Sequence, residues 1–101
     1  MKKIIYNFLD YSVGPGVRLA NRDNYYNIYS DNRTHILSFS MKDNWEFVKL
    51  YRYEPLCRKV SSLFSVTEDE AAKLISDWFG ERHNLKKVGD LKKFILETVN
   101  T

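Results

Sequence analysis

The stretch FSVTEDEAAKLISDWF, residues 64–79, decides how the second half of the chain must fold. Thr67 followed three residues later by Glu70 is a capping-box pattern: the threonine oxygen takes an orphan N–H of the first turn and the glutamate reaches back to the cap. Glu68 and Asp69 add negative charge to the same turn, where the helix dipole favours it. Ala71, Leu74, Ile75, Trp78 and Phe79 recur at helical spacing and form a core-facing stripe. The segment therefore predicts a helix over 68–82, ending near His83 with Asn84 past the cap; Gly80 offers an earlier exit.

Working outward, Asp90 can cap a last helix over 90–99 that carries Leu91, Phe94, Ile95 and Val99. On the other side, Pro55 suits the first turn of a helix, and Leu56, Val60, Leu63 and Phe64 at i, i+4, i+7 and i+8 predict that helix over 55–64. Across 55–82 the apolar spacing resembles a helix-turn-helix. A recognition helix, however, sets its amino-terminal side chains against phosphates and bases. Here those side chains are Thr67, Glu68, Asp69 and Glu70, which a polyanion repels. Ser65 also stands where many such turns carry glycine. A helical hairpin that packs is the expectation.

The first half leans toward strands. KIIYNFL (3–9) predicts a first strand, and SVGPGV a turn, since no Lys-Ser/Thr pair follows the glycines as a phosphate loop requires. Residues 25–30 and 34–41 predict a hairpin joined at 30–33, where Asp31 and Asn32 tolerate a left-handed backbone. The aromatic content of 45–53 predicts a third strand ended by Pro55, although Asp43 and Glu46 are spaced to cap a helix there. The fold class expected is α+β: one domain over 1–101, a small antiparallel sheet of about three strands in the N-terminal half, packed against about three C-terminal helices. The helices should cover one sheet face through Leu56, Val60, Phe64, Leu74, Ile75, Trp78, Phe94 and Ile95.

Composition narrows the function classes. No apolar run approaches the length of a membrane span, and the amino-terminal lysine pair leads into an apolar segment that stops at Leu9 without a small-residue cleavage site. With Cys57 the only cysteine, no internal disulfide can form. A soluble cytoplasmic protein, bacterial or inside an infected host cell, is expected; the wealth of Asn, Lys, Tyr, Ile and Phe suits an AT-rich phage or mobile element. The 16 Lys and Arg against 13 Asp and Glu make a mixed surface rather than a polycation.

Catalytic groups are few. Cys57 lies early in its predicted helix, where the helix terminus can lower a thiol pKa, but His35 and His83 belong to no nucleophile signature, and the three share no zinc-ligand spacing. Asp77 and Glu81, at i and i+4, read as a surface pair beside Arg82. No cofactor and no metal are expected. The chain reads as a small non-enzymatic protein-binding module, a phage or mobile-element regulator or inhibitor, with Tyr25, Tyr26, Tyr29 and Trp45 as protein-binding residues. The alternative is nucleic-acid binding through Arg82, Lys86, Lys87, Lys92 and Lys93, with the tyrosines stacking unpaired bases. Exposed strand edges would also allow a homodimer.

Overall fold

Asp10 settles where the amino-terminal segment goes. The computed structural model describes residues 1–14, 16–22, 25–31, 33–42, 47–86 and 88–99, and Lys2–Ser12 form a helix, α1, in place of the strand expected over 3–9. Its buried side, Ile5, Tyr6, Leu9 and the following Val13, repeats at i, i+1, i+4 and i+8. That stripe is helical and runs past polar Asp10, where a strand reading stops. Isoleucine and aromatic content favours strand locally, but tertiary packing overrides so weak a preference. Asp10 Oδ1 accepts hydrogen bonds from Trp78 Nε1 at 2.7 Å and Arg82 Nε at 2.8 Å, while Oδ2 accepts from Arg82 Nη2 at 2.8 Å. Gly14, at φ 80°, takes the left-handed conformation that closes α1.

The sheet is an antiparallel meander of four strands rather than three: β1 (Arg18–Arg22), β2 (Tyr25–Tyr29), β3 (His35–Lys42) and β4 (Phe47–Arg52). β1 is the unexpected one. RLANR has little strand propensity, and it pairs along β2 with Arg18 opposite Tyr29 and Arg22 opposite Tyr25. The hairpin of β2 and β3 falls where expected. Ser30 N–H donates to Thr34 O at 2.9 Å, Thr34 N–H donates to Ser30 Oγ at 3.1 Å, and the left-handed residue is Arg33 at φ 68°. Of the strand expected over 45–53, Phe47–Arg52 form β4; Asp43, Trp45 and Glu46 lie outside the described residues.

A bulge gives the sheet its two faces. Ile28 pairs with Leu37 but Tyr29 pairs with His35, so Ile36 is an extra residue on β3. Ile36 and Leu37 are consecutive and both buried, which strict alternation forbids and a bulge permits. Leu19, Ile28 and Leu37 in one row, and Tyr26 with Phe39 in the next, face the core. Tyr26 stacks on Phe39 with ring centroids 5.0 Å apart.

The helices that cover this face are α1, α2 (Glu54–Phe64), α3 (Glu68–Arg82) and α4 (Val88–Val99), the helices seen among the described residues. Thr67 caps α3 as predicted, its Oγ1 accepting from Glu70 N–H at 3.0 Å. The helix runs through Gly80 to His83, and Asn84 at φ 56° lies past its end. α2 ends at Ser65, which adopts the left-handed conformation (φ 56°) more usual for glycine. Leu63 is a correction: Leu56, Cys57 and Val60 form the buried side of α2, and Leu63 is 56% exposed. Asp90 is a second correction, because it lies inside the first turn of α4 and accepts from Lys86 N–H at 2.9 Å rather than starting the helix. Leu91 and Ile95 bury α4, Phe94 meets Phe79 edge-on at 5.8 Å, and the helix packs against β1. Among the described residues no helix is long and apolar enough to cross a membrane.

Replacing Asp10 tests the clamp. Asp10→Ala leaves the buried Trp78 N–H without its acceptor, a loss of about 1–3 kcal/mol of unfolding free energy. Asp10→Asn keeps an acceptor and should lose less. Urea denaturation of both variants checks this, and equal losses would mean that the acceptor on Trp78 is not what matters.

Candidate functional site

The face of the sheet turned away from the helices gathers the polar and aromatic side chains. Alternation along each strand places Arg18, Tyr29 and His35 in one row, Ala20, Asn27, Ser38 and Tyr51 in the next, and Tyr25, Ser40 and Lys49 in a third. Ser38 Oγ donates to Asn27 Oδ1 at 2.7 Å, which leaves it to accept from His35 Nε2 at 2.8 Å. The His35 ring, held this way, stacks on Tyr53 at 4.1 Å and meets Tyr29 at 4.8 Å. Tyr25 lies 6.1 Å from Tyr51, and Lys49 Nζ sits 5.1 Å from the centre of the Tyr51 ring. Tyr25 is 51% exposed and Tyr51 37%.

Charge is distributed unevenly between sheet and helices. Arg18, Arg22, Lys42, Lys49 and Arg52 are the charged residues of the strands, and no Asp or Glu occurs in any of the four. Arg18 faces Asp31 of the adjoining turn at 3.7 Å, with both side chains well exposed, so the pair holds Arg18 weakly. Arg52, at the end of β4, is taken up by Glu54 at 2.6 Å and by Asp69 of α3.

Of the residues expected to bind protein, Tyr25 and Tyr29 lie on this open face. Tyr26 turns into the core instead, because odd-numbered residues of β2 face outward and Ile28 fixes the even ones inward. Trp45 lies outside the described residues. Of the basic group, Arg82 is engaged by Asp10, Lys86 is exposed, and Lys92 and Lys93 are exposed on α4; Lys87 lies outside the described residues. The helix that carries Lys92 and Lys93, α4, packs against β1. The sequence reading missed Lys49, Tyr51, Asn27 and Ser38, although their parity against Leu50, Ile28 and Phe39 carried the signal.

A second surface lies on the helices. Ile4 is 58% exposed and Tyr11 93%, one on each side of Phe8 along α1. Phe8 meets Phe64 of α2 edge-on at 5.4 Å, and Lys59 Nζ stands 5.8 Å from the Phe8 ring. Leu63, one turn beyond Lys59, extends the apolar surface. Next to α3, a groove of ≈ 500 Å³ is lined by Lys2, Asp77, Glu81, Asn84 and Lys86 among others. Glu81 there pairs with Lys2 at 3.9 Å. Behind it the Tyr6 hydroxyl is sealed from solvent without a well-formed hydrogen bond, and burial first, then Glu81, push its pKa up to about 12.

Cys57 is buried at the first turn of α2, and burial, then the Glu54 charge, push its thiol up, away from the depressed value a nucleophile needs. No group of three or more metal-ligating side chains occurs among the described residues. No protein-family model, no curated protein and no solved structure matches this chain.

Burial holds both His35 and His83 below the ordinary imidazole value of 6.5. The unfolded chain therefore takes up protons at higher pH than the folded one, and the stability due to neutral imidazoles, full above pH 6.5, is lost as pH falls below it. The urea midpoint should drop between pH 7 and pH 5.5, and His83→Gln should reduce that drop. A midpoint that stays constant across this range contradicts the assignment.

Proposed function

We propose that this chain is a non-enzymatic binding protein that docks a protein partner on the apolar surface formed by α1 and α2. The observation that carries this reading is the exposure of Ile4, Tyr11 and Leu63 around the Phe8–Phe64 contact. Scattered exposed apolar residues need no explanation, but a contiguous group with a polar border is the mark of an interface. Lys59 borders it on α2, and Lys3, exposed beside Ile4, on α1. The nearest carboxylate on α1, Asp10, is turned to Arg82 and Trp78.

The partner that fits is an amphipathic helix with an apolar face and acidic flanks, laid along the α1–α2 surface. A second copy of this chain would set lysine against lysine at the border, so the charges favour a different protein. Such a surface suits a small regulator or inhibitor that occupies a partner's surface, the role expected for a phage or mobile-element protein.

The test compares two pairs of surface substitutions. Ile4→Glu with Leu63→Glu should leave unfolding free energy within about 0.5 kcal/mol of wild type, since both side chains are exposed. It should also abolish capture of the partner from extracts of the native cell. Tyr25→Ala with Lys49→Gln, on the sheet, should leave that capture intact, and the wild-type protein alone should sediment as a monomer. Capture that survives the helix substitutions, or a dimer that they disrupt, overturns the reading.

A further inference from the structure

We propose that the open face of the sheet is a second, separate site that binds single-stranded RNA. Three observations converge on it. Tyr25 and Tyr51 present partly exposed rings on a surface with no helix over it, and Tyr29 adds a third ring in the row at the other end of β2. The strands carry basic side chains and no acidic one, with Lys49 beside Tyr51 and Arg18 in the row of Tyr29. The Asn27–Ser38 pair, bonded at 2.7 Å, lies between the two tyrosine positions of β2.

Each feature has a matching part in a nucleotide strand. Aromatic side chains on an uncovered sheet stack about two or three unpaired bases, which a duplex cannot offer because its bases are already stacked. The strand rise sets Tyr25 and Tyr29 about 13 Å apart on one face, with the polar pair between them. Lys49 and Arg18 lie beside the outer rings, where a backbone connecting stacked bases runs. The carboxamide of Asn27 and the hydroxyl of Ser38 together donate and accept, as does the ribose 2′-hydroxyl that tells RNA from DNA. Among the residues of this face whose side chains are described, only Ala20 and the tyrosine rings are apolar, so a protein ligand would find little aliphatic area here.

The site also accounts for what the basic residues near the carboxy terminus do. Arg82 is committed to Asp10, but Lys92 and Lys93 are exposed on α4, the helix next to edge strand β1, and add positive charge near the sheet. They are auxiliary to the site and do not form it.

Fluorescence anisotropy with a labelled 12-nucleotide RNA of mixed sequence tests the proposal, with a DNA strand and an RNA duplex of the same sequence alongside. The expected order of affinity is single-stranded RNA, then DNA, then duplex. Tyr25→Ala and Tyr51→Ala should each weaken RNA binding by about tenfold, within the range measured for loss of one base–aromatic stack. Lys49→Gln should flatten the slope of log affinity against log salt by about 0.7, the value for one lost phosphate contact on a single strand. Far-ultraviolet circular dichroism confirms that each variant is folded, and Lys49→Glu supplies a second surface change that no core contact depends on. Leu63→Glu should leave RNA affinity unchanged, which keeps this result independent of the helical surface. No RNA binding at low salt overturns the proposal, as does DNA or duplex bound as tightly as single-stranded RNA. So does loss of RNA binding with Lys92→Gln and Lys93→Gln but not with the tyrosine and Lys49 variants. Retained RNA binding by Tyr25→Ala and Tyr51→Ala, with loss of the captured protein instead, would assign the face to protein.

Discussion

The Asp10 carboxylate is the constraint around which the rest of the molecule is arranged. Trp78 is almost completely buried, and an indole N–H in that position needs an acceptor. Asp10 supplies it from the other end of the chain and in the same stroke takes the Arg82 fork, whose guanidinium holds the carboxyl below its usual range. A carboxylate with two such partners cannot sit in a strand of the sheet and reach α3 as well. The amino-terminal segment is therefore a helix laid on the helical layer, and the sheet begins later, with the unpromising RLANR.

That displacement shapes the sheet. With four helices gathered on one side, the meander has one packed face and one open one, and the bulge at Ile36 lets two consecutive residues bury on the packed side while His35 turns outward. The open face keeps its polar groups satisfied among themselves through the chain from Asn27 to Ser38 to His35. Charge follows the same division. Of the acidic residues described, nine lie in helices and Asp31 in a turn, and none in a strand. A modest net charge of +3 thus conceals strands whose charged residues are all basic and a helical layer that holds most of the carboxylates.

The helical hairpin of α2 and α3 serves this layered arrangement. Its connection is short because Ser65 accepts a left-handed backbone and Thr67 caps the next helix at once. Glu68, Asp69 and Glu70 at the start of α3 complement the helix dipole, and Asp69 reaches Arg52 at the end of β4, so the acidic turn is spent on the fold. At the far end, His83 lies between Phe79 and Phe94 and joins α3 to α4 through ring contacts.

The sequence by itself determined the α+β class, the β2–β3 hairpin, β4 and the positions of α2 and α3 to within a residue or so. Those elements carry their own signals: a capping threonine, a proline in a first turn, a clean apolar period, a tip of turn residues. The working surfaces were only half legible. Tyr25 and Tyr29 stand on the open face as parity within β2 requires, but Tyr26 was bound to be lost to the core once Ile28 was inside. Lys49 and Tyr51 needed a partner strand before their side of the sheet could be known. Only the tertiary structure decided that residues 2–12 are helical, that 18–22 form a strand, that Leu63 is exposed and that Arg82 belongs to Asp10. The reason is physical: each depends on a group outside its own local pattern, an indole N–H and a guanidinium 68 and 72 residues from Asp10, a neighbouring strand or a competing cysteine, whose effect exceeds the few tenths of a kcal/mol by which local propensity chooses between helix and strand.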